Sequence, residues 1–88
     1  DLKDAELSCK KASRGSTFVD FANVEISGTT YGICLQKGQN TLALASTWVY
    51  RDGYTYLITV SAEPDSYERC FYILGYMITR VTTFKSSN

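Results

Sequence analysis

Few residues in this 88-residue chain are equipped for chemistry. It has three cysteines, Cys9, Cys34 and Cys70, with nine acidic residues, nine basic residues and no histidine. Without imidazole, neither a Ser-His-Asp nor a Cys-His arrangement can form. The cysteines are widely spaced and include no C-x-x-C pair, so no metal site is expected. Neither G-x-G-x-x-G nor G-x-x-x-x-G-K occurs, so no phosphate loop is expected either. Close carboxylates are limited to Asp20 with Glu25, and to Glu63 with Asp65 and Glu68. The second set is better explained as the acidic start of a helix. A chain this short also has little room for a catalytic cleft. The expectation is a non-enzymatic protein with no cofactor and no metal.

The cysteines point to stability. In an oxidising compartment they allow one bridge and one leftover thiol. Cys9–Cys34, Cys9–Cys70 and Cys34–Cys70 all remain open. Any of them adds about 3 to 4 kcal/mol by closing a long loop. The competing reading is three buried thiols in a reducing cytoplasm, where cysteine acts as a small hydrophobe. The odd cysteine could also link covalently to a partner chain. The chain starts at Asp1 with no Met and no charged-then-apolar leader, which favours a mature exported protein, secreted or periplasmic.

What remains is surface. Tyr50, Tyr54 and Tyr56 cluster around Asp52-Gly53, beside Arg51 and close to Trp48. Aromatic residues with an arginine make a protein-binding hot spot, so these five are the candidate binding residues. They could also stack on sugar rings, or simply pair across strands. Lys10, Lys11 and Arg14 could bind an anion. The acids near them make a solvated helix face the simpler account. Net charge is zero, which removes the footprint of a nucleic-acid binder. No apolar run reaches the roughly 20 residues of a membrane span.

The elements that position these residues follow from spacing. Residues 1–14 run from acidic to basic, with Leu2, Ala5 and Cys9 near helical spacing, and Gly15 stops that helix. Residues 16–35 read as two short strands joined at Ser27-Gly28, with a helix capped at Ser16-Thr17 as the rival. Lys37-Gly38-Gln39-Asn40 is a second turn. Asp52-Gly53 suits a type I′ turn between two apolar runs. That register pairs Tyr50 with Thr55, Val49 with Tyr56 and Trp48 with Leu57. Positive φ at Gly53 makes Gly53→Val the expected worse substitution compared with Gly38→Val. The resulting ribbon carries no charge from Gln39 to Tyr50 or from Gly53 to Ala62, so it must be covered on both faces or contact another chain. Pro64 and the acids beside it open a helix to Leu74, with Tyr67, Cys70, Phe71 and Leu74 on one face and Gly75 as its cap, one long strand through Phe71-Tyr72-Ile73 being the rival. Tyr76 to Phe84 alternates as a closing strand.

The expected fold is one domain over residues 1–88 of α+β class. It is a small twisted antiparallel sheet of four or five strands with one or two short helices. An all-β sandwich is the alternative. The expected function is a small exported protein that binds a partner protein, effector-like or inhibitor/immunity-like. The alternative is a structural or assembly subunit of an oligomer, and a carbohydrate-binding module is weaker still.

Overall fold

Two two-residue turns organise the sheet. In the computed structural model, which describes residues 2–11 and 15–83, Ser27 and Gly28 both have positive φ, as do Asp52 and Gly53. Paired positive φ values make type I′ turns, whose twist matches that of the strands they join. The first turn joins β1 (Thr17–Ile26) to β2 (Thr29–Lys37), and the second joins β3 (Ala43–Arg51) to β4 (Tyr54–Ala62). A short turn at Gln39–Thr41, with positive φ at both Asn40 and Thr41, links the two hairpins. The result is a four-stranded antiparallel sheet in chain order β1-β2-β3-β4. The fold is α+β, and residues 17–26 are strand.

A helix precedes the sheet and another follows it: α1 (Leu2–Lys11) and α2 (Tyr67–Thr83). The register places them on opposite faces. Ile33 pairs with Thr47 and Leu35 with Ala45, and all four are buried with Cys70, Leu74 and Ile78 of α2 beneath β3 and β4. Cys34 pairs with Ser46 and so points the other way, toward α1, which packs on β1 and β2. Ala43 and Ala45 leave a shallow floor on the α2 face. There Cys70 Sγ donates to Ala43 O at 3.4 Å. Thr47, the buried polar residue of this face among the described residues, donates its hydroxyl to Gly32 O at 2.8 Å, which offsets the cost of burying it.

The closing strand expected at Tyr76 to Phe84 does not form. α2 continues through Gly75 to Thr83, and Phe84 lies outside the described residues. Gly75 is an interior helical residue, not a cap. Continuing the helix past a glycine costs about 1 kcal/mol. It also carries Ile78 onto the stripe begun by Cys70 and Leu74, and fully burying an isoleucine returns about 2 to 3 kcal/mol. Burial therefore outweighs both the glycine and the β-forming residues that follow. The helix also starts later than Pro64: Pro64-Asp65 is a turn, and Cys70 N–H donating to Ser66 O at 3.1 Å is its opening bond.

At the other end, α1 is described as far as Lys11. Gly15 has a φ of 78°, and Arg14 lies outside the described residues. Cys9 is buried while Leu7 is exposed. Among its described side chains this helix therefore has little apolar grip on the sheet. Its anchor is covalent, the Cys9–Cys34 disulfide, with Cα atoms 5.6 Å apart. Gln36 Nε2 adds a hydrogen bond to Cys9 O at 3.2 Å.

Candidate functional site: the outer hairpin

The β3–β4 register is the one the turn chemistry dictates: Arg51 opposite Tyr54, Tyr50 opposite Thr55, Val49 opposite Tyr56 and Trp48 opposite Leu57. Alternation along a strand then divides the five candidate binding residues. Trp48 and Tyr50 project on the α1 face of the sheet. Arg51, Tyr54 and Tyr56 project on the α2 face. They share one hairpin end, but they do not form one patch.

On the α2 face, the rings of Tyr54 and Tyr56 lie 6.4 Å apart at 49°. Both are exposed. Arg51 Nε stands 3.8 Å from Oδ2 of the next residue, Asp52, a solvated pair of small energetic weight. On the α1 face, Trp48 is half-buried and Tyr50 is exposed. Trp48, Leu44, Leu57 and Ser46 line a groove of about 430 Å³ beside the disulfide. Ser46 and Thr59 bridge the strands there, hydroxyl to hydroxyl, at 3.0 Å.

The ribbon is thus covered by α2 over the inner part of one face, and open at its tip and over much of the other face. α2 shields Ala43, Ala45, Val49 and Val60, while Tyr50 and Leu57 face solvent. Leu57 belongs with the candidate residues, and the turn register already placed it opposite Trp48. The exposed large apolar side chains of α2 are Tyr72 and Ile73, which lie within the helix read from the sequence, and Tyr76 and Met77, which the strand reading of Tyr76 to Phe84 hid. Continuing the four-residue step from Cys70 and Leu74 to Ile78 was the signal that could have found them. Arg80 lies over the Tyr76 ring at 5.9 Å, so that flank carries an arginine on an aromatic face.

The remaining chemistry-bearing groups are dispersed. Asp20 and Glu25 stand on opposite faces of β1, and Asp20 Oδ1 accepts from the Phe21 N–H at 2.8 Å. Among the described residues no three His, Cys, Asp or Glu side chains gather as a metal would require. Lys10 pairs with Glu6 one helical turn away at 3.1 Å, as a solvated helix face would. Cys70 is the free thiol, and burial pushes its pKa up, away from a reactive thiolate. Tyr67 keeps a buried hydroxyl with no hydrogen-bond partner among the described residues. Burial, then the charges of Asp65 and Cys70, push its pKa up. No described helix is long and apolar enough to cross a membrane. Comparison with protein-family models, curated proteins and solved structures finds no match for this chain.

Proposed function

We infer that this is a small exported, non-enzymatic protein that works by binding a partner protein through the outer end of its β3–β4 hairpin. The observation carrying the reading is the exposure of Tyr50, Tyr54, Tyr56 and Leu57 on a hairpin that holds no charge outside its Arg51-Asp52 tip. Large apolar side chains with polar tips on a rigid, register-locked hairpin are preorganised for contact, so little entropy is lost on binding. The disulfide is compatible with an oxidising compartment and an effector-like or inhibitor/immunity-like role. The test is sedimentation of the chain with candidate partner proteins, beside the double variant Tyr50→Ala/Tyr54→Ala. Complexes that form with the wild type and are lost in the variant support the reading. Complexes that the variant forms equally well refute it.

A second reading, an assembly subunit, is favoured by a separate observation. β4 lies at the edge of the sheet, with its outer side paired to no other strand among the described residues.

A further inference from the structure

The two edges of the sheet differ in kind. β1 carries Asp20 and Glu25, and its pairing with β2 is broken by a register shift between Phe18 and Asp20. Charges and bulges are the devices that stop an edge strand from recruiting another. β4 has none of them. From Tyr54 to Ala62 it is nine residues with no charge and no proline, in unbroken register with β3.

Its outward groups can be assigned. A two-residue turn closes on a hydrogen-bonded pair, here Arg51 with Tyr54. Alternation then turns the backbone groups of Tyr54, Tyr56, Ile58, Val60 and Ala62 toward β3. Those of Thr55, Leu57, Thr59 and Ser61 point away from the sheet.

We propose that β4 pairs with β4 of a second copy of this chain, antiparallel about a two-fold axis at Ile58, making one continuous sheet across both. The proposal rests on the reading of β4 as an assembly edge and names its occupant. Ile58 is the midpoint of the strand, so this register engages all nine residues of each copy. It sets Leu57 against Thr59 and Thr55 against Ser61, four residues whose backbone groups all point outward. About eight hydrogen bonds would form. It also matches large to small at three positions on each side of the axis, where Ile58 meets its own copy. Tyr54 meets Ala62, Tyr56 meets Val60 and Leu57 meets Thr59. The exposed bulk lies in the first half of the strand, where Tyr54 is 68%, Tyr56 48% and Leu57 62% exposed, whereas Val60 is 9% exposed. A strand graded in this way is complementary to itself when reversed.

The helix layer agrees with this pairing. α2 lies over β3 and β4, and its Phe71 flank lines a cavity with Leu35 of β2. Helical periodicity puts Ile73 and Met77, both exposed, on the opposite flank, toward the β4 edge. There the α2 of the second copy would arrive antiparallel. A specific interface needs roughly 1,000 Å² of joint area, which the paired strands together with the Ile73 and Met77 flanks would have to bury. Each hairpin tip stays at an end of the joined sheet, so the dimer would present the tip twice.

Sedimentation velocity over micromolar to millimolar concentration, with amide hydrogen exchange, tests this. The wild type should pass from 9.8 kDa to twice that mass, with Thr55, Leu57, Thr59 and Ser61 amides slowed at least tenfold in the dimer. Leu57→Pro removes an outward N–H and spares the bonds to β3, so it should stay folded by circular dichroism and remain a monomer. Thr55→Lys puts a charge on the edge and should do the same if the proline variant fails to fold. A wild type that stays at 9.8 kDa with these four amides unprotected overturns the proposal. So does a dimer that survives both variants, open-ended growth past the dimer, or protection of β4 only when a different protein is added. In that last case the partner-binding reading stands without the self-pairing one.

Discussion

Cys9 and Cys34 are bonded on the face of the sheet opposite the one α2 covers. The bond therefore does not reinforce the main core. It holds a helix whose own apolar contact is thin. Reducing it should cost about 3.5 kcal/mol, the entropy of opening a 25-residue separation. The loss should appear first in α1. Chemical denaturation with and without reductant, followed by hydrogen exchange, checks this. Unchanged protection of the α1 amides after reduction would mean that packing alone retains the helix.

Gly75 offers a sharp test of the long helix. A Cβ built there meets nothing within 4 Å, and the residue has no positive φ. Gly75→Ala should raise stability by about 1 kcal/mol, because alanine is the better helix former. Had Gly75 been a left-handed cap before a strand, the same change would destabilise. Thermal melting of the variant decides between them.

Gly38 and Gly53 matter for different reasons. Gly53 has a φ of 81° with open space around it, so any side chain there costs about 1 to 2 kcal/mol of backbone strain. Gly38 lacks positive φ, but an added Cβ would sit 2.9 Å from Leu44 Cδ1. The ranking of the two valine variants by φ alone therefore leaves out this contact. In a double-mutant cycle Leu44→Ala should relieve much of the loss in Gly38→Ala and none of that in Gly53→Ala. Additive losses at Gly38 and Leu44 would show that the contact is absent.

Tyr67 and Cys70 set the alkaline limit. Both are acids held protonated in the folded state, with pKa values pushed above the ordinary 10.0 and 9.0. Above those ordinary values the unfolded chain has lost protons that the folded chain keeps, so stability falls as pH rises. It should be level through neutral pH and decline above about pH 9. Tyr67→Phe removes the unpartnered hydroxyl, should be neutral or stabilising by up to about 1 kcal/mol, and should shallow that decline. A denaturation series from pH 7 to 11 reads both effects. A variant that loses more than 1 kcal/mol at pH 7 would show that the hydroxyl has a partner.

The sequence by itself determined what neighbouring residues settle between them. Ser27-Gly28 and Asp52-Gly53 tolerate positive φ, so both hairpins and the full β3–β4 register were legible before any tertiary contact was known. The two faces of the ribbon followed from alternation alone, whereas the exposure of Tyr50, Tyr54 and Tyr56 did not, since a charge-free ribbon was expected to be covered on both faces or to contact another chain. Tertiary structure decided the rest. Three cysteines permit three pairings, and only the placement of α1 against β2 selects Cys9 with Cys34. Residues 76–83 suit either a strand or a helix locally, and the floor made by Ala43 and Ala45 under Cys70, Leu74 and Ile78 selects the helix. That selection depends on residues more than twenty positions away in the chain, where local propensity carries no information and burial outweighs it.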